Sequence, residues 1–291
     1  MNADLLQRFE SHRRRLLSVA YRMLGTRDDA EDVVQDVWLR WRDADHAAIA
    51  NDEAWLVSVT TRASIDRLRA LKVQRAAYPG IWLPEPLVAP LEDQPDLLAE
   101  RADDLSMALL VVLERLGPEE RAAFLLRQVF DHDYPDIARV LGKSEAAVRQ
   151  LVHRAKTRVQ EEQPRFEVAP EEHRDQLQRF ATAARGGDLG QIMALLAPDV
   201  TLRGDGGGRV SSVAKVLVGA DRIARLFHVV ARRLGDRLTY SMAMVNGVPG
   251  LVRYLDGEVE TVFSIVTSAE GIQAVYAVRN PDKLPRSTTV A

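Results

Sequence analysis

The chain has 291 residues and a formal net charge of −3, from 39 lysines and arginines against 42 aspartates and glutamates, and it contains no cysteine. This length predicts two or three domains, and a hydrophobic content of 46% excludes a chain that is disordered throughout. The lack of cysteine excludes a disulfide scaffold, a thiolate zinc site, an iron–sulfur cluster and a cysteine nucleophile. No apolar run approaches the ~20 residues of a transmembrane helix, and residues 1–15 lack the apolar stretch of a signal peptide, so we expect a soluble, cytoplasmic protein with no membrane partner.

Residues 4–75 are predicted to be helical, because they include no proline and a single glycine. Asp28 suits the N-cap of a helix whose apolar residues recur at three- and four-residue spacing and form a core face. Residues 28–36 carry five acids and no base, whereas residues 62–75 carry five bases and one acid. Charge blocks of alternating sign indicate separate surfaces for separate partners, although one block alone is also typical of a solvated face.

A proline-rich segment interrupts the helices at residues 78–95, where five prolines in 18 residues exclude a helix. Residues such as Trp82 and Leu83 are too apolar for a free linker, so we expect the segment to lie extended against another surface. Packing on a neighbouring helix and a dedicated docking role both fit this pattern.

Residues 103–160 are again predicted to be helical, with a spacing typical of a helix-turn-helix. The small Ala138 lets two helices approach, Gly142 permits a tight turn, and Val148 helps to seat the second helix. Ser144 lies where the N-cap of that helix belongs.

The second helix of this motif carries a polar face that suits the major groove of DNA. Arginine and lysine contact phosphates or guanine edges, and glutamine pairs with adenine. An ordinary helical hairpin with a basic solvent face fits the same pattern. The outward residues are Arg149, Gln150, His153, Lys156 and, at the edge of the face, Arg154.

A second linker at residues 161–170 precedes a segment of different character. Two helices, at about 172–185 and 188–197, come before six predicted strands, and a helix at about 220–234 lies between the second strand and the third. Asn-Gly and Asp-Gly hairpin signals separate the later strands, so the pattern predicts an α+β domain. The strands are predicted at 200–202, 210–218, 238–245, 251–255, 259–266 and 272–278.

Residues 203–210 read RGDGGGRV and are glycine-rich, as phosphate-binding loops are. The stretch lacks Gly-Lys-Ser/Thr and GxGxxG, and a strand rather than a helix is predicted to follow it. A hairpin loop or an interface contact is therefore favoured.

Two motifs in the N-terminal half, taken together, resemble a known family. The acidic helix reads DAEDVVQDVWLRW (29–41) and is followed by AWLVSVTTRASIDRLR (54–69). Farther along comes LERLGPEERAAFLLRQVFDHDYPDIARVLGKSEAAVRQLVHRAKTRV (113–159). Their order and separation resemble regions 2 and 4 of the extracytoplasmic-function (ECF) RNA polymerase sigma factors.

Three further motifs are similar to those of one subgroup, the sigma-J type, in which a SnoaL-like domain is fused behind region 4. They are WLPEPL (82–87), DGGGR (205–209) and NPDKL (280–284). The resemblance covers about residues 5–285.

The resemblance implies a fold class and a domain order. We expect all-α region 2 at 1–76, a linker at 77–105 and an all-α region 4 helix-turn-helix at 106–162. An α+β SnoaL-like cone, a curved antiparallel sheet with helices, is implied at 171–291.

The resemblance also implies the partners, which are core RNA polymerase, through its β′ clamp helices and β flap, and promoter DNA. No cofactor, metal or catalytic residue is expected. The implied core-polymerase contacts are Asp29, Glu31, Asp32, Gln35 and Asp36. The candidates for the −10 element are Arg62, Arg67, Arg69, Lys72 and Arg75. The candidates for the −35 element are Ser144, Arg149, Gln150, His153, Arg154 and Lys156.

Thr61-Arg62 replaces an Arg-Asn pair that is frequent in the family, and few aromatic residues follow Trp55. The residue that would capture a flipped base is therefore left open.

The subgroup's C-terminal domain is expected to act as a built-in regulator in place of a separate anti-sigma protein. We expect the three subgroup motifs to meet at one interface, with Arg209 paired to Glu85. The interface residues are predicted to be Trp82, Leu83, Pro84, Glu85, Pro86, Asp205, Gly206, Gly207, Gly208, Arg209, Asn280, Pro281, Asp282, Lys283 and Leu284.

Two alternatives remain at this point. An enzyme or small-molecule-binding SnoaL-like protein with a nucleic-acid-binding N-terminal half would use a pocket acid and base. A ligand-controlled helix-turn-helix regulator is disfavoured by the acidic helix, although a small ligand in the C-terminal domain is possible for a sigma factor too. The acid–base candidates are Asp199, Asp221, His228, Tyr240 and Tyr254.

Overall fold

The computed structural model describes residues 2–91, 106–162 and 168–285. The chain divides into two compact units, the first formed by Met1–Ala77 and Val112–Glu162 and the second by Tyr78–Val111 and Gln163–Ala291. None of the helices in the described ranges is both long enough and apolar enough to span a bilayer. The helices are α1 (Asn2–Leu24), α2 (Arg27–Arg42), α3 (Asp52–Ala76), α4 (Met107–Leu113), α5 (Pro118–Phe124), α6 (Tyr134–Leu141), α7 (Glu145–Glu162), α8 (Pro170–Gly186), α9 (Leu189–Ala194) and α10 (Ala220–Leu234).

The first unit is all helical, with α1, α2 and α3 packed around a core that includes the fully buried Leu16, Trp41 and Leu56. Helix α2 starts one residue before the predicted Asp28 cap. Thr26 is its N-cap, and the Thr26 hydroxyl donates to the Asp29 carboxylate at 2.5 Å. The acids of the first turn, Asp28 and Asp29, then lie near the positive end of the helix dipole.

The helix-turn-helix forms from α6 and α7 as the spacing predicts. Gly142 ends α6 in the left-handed conformation, with φ 63°. The Ser144 hydroxyl accepts a hydrogen bond from the Ala147 amide at 3.3 Å and caps α7. A π-helical turn, Leu125–Val129, continues α5.

The second unit is built on a seven-stranded sheet of order β1-β4-β5-β6-β7-β2-β3, in which only the β2–β7 pair is parallel. Helices α8, α9 and α10 cover a core centred on the sheet residues Leu251, Phe263 and Val275. The strands are β1 (Val88–Ala89), β2 (Leu196–Asp205), β3 (Leu217–Val218), β4 (Leu238–Val245), β5 (Val248–Leu255), β6 (Glu258–Ser268) and β7 (Gly271–Val278).

One predicted strand is wrong. Of residues 210–218 only Leu217 and Val218 pair in the sheet, and residues 210–216 form a loop beyond the end of β2. The apolar residues Val210 and Val213 line a cavity instead. The predicted hairpins are present, with Asn246 and Asp256 at φ 52° and 53° in their turns.

His173 in α8 makes the stability of the second unit depend on pH. It is buried, and its ring bonds to the Thr267 hydroxyl at 2.7 Å and the Pro249 carbonyl at 3.0 Å. Burial lowers the pKa of His173 below its ordinary value, and Arg174 adds to this effect against the hydrogen bond to Pro249. The unfolded chain therefore binds more protons than the folded one as the pH falls through about 6.5.

We expect the urea midpoint of the second unit to fall between pH 7.5 and pH 5.5, and to fall less in His173→Gln. Hydrogen exchange of α8 peptides measured across a urea titration reads this unit selectively. An equal drop in wild type and His173→Gln would contradict the assignment to His173.

Candidate nucleic-acid interface and linker site

The outer face of α7 carries an exposed polar surface. Val148, Leu151 and Val159 are buried against the unit, while Arg149, Gln150 and neighbouring polar residues face solvent. The Arg149 guanidinium lies over the Tyr134 ring at 4.1 Å, which restricts its side chain near the start of the helix. All six residues of the predicted −35 set are exposed, namely Ser144, Arg149, Gln150, His153, Arg154 and Lys156.

The bases of α3 are largely engaged within the first unit. Arg62 donates to the carbonyls of Arg139 and Val140, both at 2.8 Å, at the carboxyl end of α6. Arg69 contacts Glu119 of α5 at 3.0 Å. Among the predicted −10 residues, these two therefore bridge α3 to the helices that follow residue 112.

Arg75 and Arg67 are engaged as well. Arg75 bonds to the Glu114 carboxylate and the Leu24 carbonyl, and its side chain is 15% exposed. Burial, opposed by Glu114, lowers the pKa of Arg75, but a guanidinium stays charged. Arg67 bonds to Asp29 at 2.6 Å, whereas Lys72 is exposed.

The acidic surface of α2 is therefore smaller than the predicted set. Asp29 is turned toward Arg67, and its side chain is 15% exposed. Glu31 pairs with Arg27 one turn earlier at 2.8 Å but stays exposed. Asp32, Gln35 and Asp36 are exposed on the same face.

In the second unit, the proline-rich segment meets the glycine-rich turn at a buried carboxylate. Asp205, at the end of β2, is fully buried. It accepts hydrogen bonds from the Tyr78 hydroxyl at 2.6 Å, the Leu83 amide at 3.0 Å and the Gly207 amide at 3.0 Å. Burial raises the pKa of Tyr78, and Asp205 reinforces this, so the hydroxyl stays a donor.

Lys283 supplies the opposite charge. Its ammonium, in a side chain 8% exposed, donates to Asp205 at 2.7 Å and to the Leu83 carbonyl at 2.6 Å. It also lies 4.2 Å from the centre of the Trp82 ring. Asn280 donates to the Tyr78 hydroxyl at 3.0 Å. We call the segment 78–89, seated on Asp205 and Lys283, the linker dock.

Apolar burial and a strand pairing complete the linker dock. Leu83 is fully buried in a cluster with Tyr276 and Val278 of β7. Val88 and Ala89 add an antiparallel edge strand to β4, opposite Val245 and Met244. The linker is thus part of the C-terminal sheet.

Gly208 permits a close approach between the glycine-rich turn and the linker. It has φ 71°, and a Cβ there would lie 2.6 Å from Pro79 Cγ. Any other residue would carry both a backbone cost and a steric clash with the linker.

Two protein-family models match the chain, Sigma-70 region 2 over residues 8–73 and Sigma-70 region 4 over residues 106–159. Over nearly its whole length the chain is 38% identical to the ECF RNA polymerase sigma factor SigJ of Mycobacterium tuberculosis, covering 96% of this chain and 93% of that protein. The chain belongs to the ECF RNA polymerase sigma factors.

Further similarities agree with the family. The chain is 30% identical to the probable ECF RNA polymerase sigma factor SigI of M. tuberculosis, over 95% of this chain and 93% of that one. The crystal structure of M. tuberculosis SigJ matches with a TM-score of 0.78 and 36% identity, covering 96% and 97% of the two chains. The predicted fold class, helical regions 2 and 4 followed by an α+β domain with a curved sheet, is confirmed.

The expected Arg209–Glu85 pair is wrong for this sigma factor. Arg209 pairs with Asp282 at 3.1 Å, because the turn of residues 280–284 lies beside the glycine-rich turn. Both side chains of this pair are more than half exposed.

The acid–base candidates are not brought together in the sigma factor's second unit. Asp221 pairs with Arg225 in the exposed first turns of α10, and the His228 ring bonds to the Gly187 carbonyl at 2.6 Å. Tyr240 stacks on Phe263. Tyr254 contacts Ser241 at 3.3 Å, and Asp199 is exposed.

Some important residues are missing from the prediction. Glu114 and Glu119 hold arginines of α3, and Tyr78 and Asn246 hold the linker, with Asn246 accepting from the Leu87 amide at 3.2 Å. The sequence around these residues gives no signal for their partners, since the hydrogen bonds join residues 39 to 159 positions apart.

We expect Asp205→Asn to destabilise the second unit by about 3–5 kcal/mol, because the Lys283 ammonium would stay buried without its counter-charge. Asp282→Asn is the matched control, since it removes an exposed ion pair and should cost at most about 1 kcal/mol. Urea titration read by hydrogen exchange of β6 and β7 peptides measures both. Similar costs for the two variants would contradict the central role of Asp205.

Proposed function

We propose that this ECF sigma factor is restrained by its own C-terminal domain, which holds the linker between regions 2 and 4. In the active state, the acidic face of α2 binds core RNA polymerase, α3 meets the −10 element and α7 reads the −35 element. The observation that carries the regulatory part is the linker dock on Asp205 and Lys283.

The chemistry of the exposed faces supports the DNA and polymerase assignments. Helix α7 offers guanidinium, amide and imidazole groups, which bond to phosphates and base edges in the major groove. The exposed acids of α2 suit an arginine-rich partner, and Asp32 and Asp36 are one helical turn apart on one face.

Geometry supports the view that the compact first unit is a resting state. The −10 and −35 elements are about 25 base pairs apart, which is about 85 Å of DNA at ~3.4 Å per pair. A compact unit of about 130 residues has a radius of gyration near 14 Å, so regions 2 and 4 cannot reach both elements while packed together. The contacts of Arg62 and Arg69 with α5 and α6 must break on the promoter.

The linker dock opposes that separation. An extended chain spans at most ~3.3–3.6 Å per residue, so seating residues 78–89 takes a stretch that could span about 40 Å out of the freely moving linker. A docking domain on the same chain acts at an effective concentration on the order of millimolar. Contacts of modest strength can therefore keep the linker seated.

A covalent bridge tests whether regions 2 and 4 separate. The chain has no cysteine, so Arg69→Cys/Glu119→Cys introduces the only two thiols, at positions whose native side chains touch. We expect a short bismaleimide bridge to reduce run-off transcription by core RNA polymerase by about tenfold or more, since both elements could no longer be engaged together.

The unbridged double variant is the control for loss of Arg69 itself. Unreduced transcription from the bridged protein, on a promoter that needs both elements, would contradict the resting-state assignment.

Weakening the linker dock should raise transcription. Gly208→Ala places a methyl group against Pro79 and strains a left-handed residue, so we expect the linker to detach and transcription to rise several-fold. Gly257→Ala is the matched control, because Gly257 has φ 87° but nothing within 4 Å of its missing Cβ. Run-off transcription with the full chain and core polymerase measures both.

A rise in both variants would indicate general loosening of the domain. A loss of transcription in Gly208→Ala alone would mean that the docked linker is needed for initiation, and the restraining role would be wrong.

A further inference from the structure

The second unit contains a cavity of about 700 Å³ between α10 and the sheet, within the size range of small-molecule sites. Its walls are largely apolar and include Leu226, Phe227 and Val230 of α10 and Phe263 of β6. None of the five acid–base candidates lines it. The cavity therefore offers an apolar volume with no paired acid and base among those candidates.

Cationic side chains also line the cavity. Arg253, whose side chain is 6% exposed, bonds to Glu260 at 2.6 Å and to the Thr261 hydroxyl at 2.9 Å. Arg279 bonds to the same Glu260 carboxylate, and its Nε is buried without a hydrogen-bond partner among the described residues. Arg209 and Arg233 also line the cavity.

This network holds more positive than negative charge. Burial alone would raise the pKa of Glu260, but Arg253 and Arg279 hold it below its ordinary value, so the carboxylate is ionised. Two guanidinium groups then share one carboxylate in a partly buried site. The excess charge and the orphaned Arg279 N–H favour an anionic partner, because buried charge is costly unless it is paired.

The cavity and the linker dock share one loop. Residues 209–213 line the cavity, and the adjoining residues 205–208 hold the linker. Arg279 joins the two sites, because its side chain donates to the Ser211 carbonyl and its amide donates to the Asp205 carbonyl at 2.7 Å.

The loop is held in one conformation by its own hydrogen bonds and close contacts. The amides of Arg209 and Val210 donate to the Gly206 carbonyl at 3.0 and 3.1 Å, and a Cβ at Gly206 would collide with the Val210 carbonyl. A group that draws Arg279 away from Ser211 therefore acts on the same tight turn that carries Asp205.

We propose that the cavity binds an amphipathic organic anion, an apolar body with one acidic head group on Arg253 and Arg279, and that its binding alters the linker dock through residues 205–213. The second half of this inference rests on the proposed function. The ligand would make this sigma factor responsive to a small molecule.

Calorimetry on the full chain tests the site, with dodecanoate as the probe, below its micelle concentration. We expect dodecanoate to bind at least about tenfold more tightly than dodecanol or dodecyltrimethylammonium. This difference in affinity is the scale of one charge-assisted contact. Equal affinity for the three probes would overturn the anionic class.

Matched variants test where dodecanoate binds. Val230→Trp fills the cavity and should abolish binding, whereas Val229→Trp changes a neighbouring residue that is 58% exposed and should leave it unchanged. Arg279→Gln should weaken dodecanoate about tenfold, and Arg232→Gln, on the exposed face of α10, should not. Unchanged binding in Val230→Trp would overturn the location.

Trp82 reports on the linker dock, since its ring lies on Lys283. Saturating dodecanoate should change the tryptophan emission of wild type and not of Trp82→Phe. If dodecanoate binds without that change, the coupling is wrong. If the emission changes but Gly208→Ala leaves transcription unaltered, the coupling stands and the restraining function fails.

Discussion

The ion pair of Asp205 and Lys283 is the interaction on which the arrangement of the second unit depends. Both groups are almost fully removed from water, so the pair is costly to bury and its net contribution to stability is small. Its effect is selective, because each charge is satisfied only when the linker brings Tyr78 and the backbone of Leu83 to it. Three segments far apart in sequence are thereby required to meet at one point.

The contacts that hold regions 2 and 4 together in the first unit are of a different kind. Arg62 and Arg69 are exposed, and exposed pairs contribute only about 0–1 kcal/mol each and weaken with salt. In the proposed active state, phosphates of a promoter compete for the same guanidinium groups with many charges at once. The Glu114 carboxylate, shared by Arg75 and the buried Arg121, is better protected from such competition. In the proposed function, control therefore lies in the linker dock rather than in these exposed contacts.

Local patterns in the sequence predict those features of the fold that depend only on residues close together in the chain. The face of α7, its cap at Ser144 and the turn at Asn246 follow from helical period, capping chemistry and hairpin preference. Pairings between residues far apart in the chain do not follow from such patterns. Arg209 could reach any nearby carboxylate, and its partner was set by where residues 280–284 cross the glycine-rich turn. Likewise the apolar 210–218 stretch resembles a strand, but its residues 210–213 line a cavity.

Because the cavity and the linker dock share a loop, a small free-energy difference is enough for a ligand to shift the linker between its docked and undocked states. By linkage, a ligand that favours one linker state is itself favoured by that state to the same factor, so the cavity and the linker dock cannot be coupled in one direction only. A differential of about 1.4 kcal/mol changes the ratio of docked to undocked linker tenfold. One rearranged bond between Arg279 and Ser211 is of that order. A domain that holds the linker through few, well-defined contacts can thus be switched by equally few.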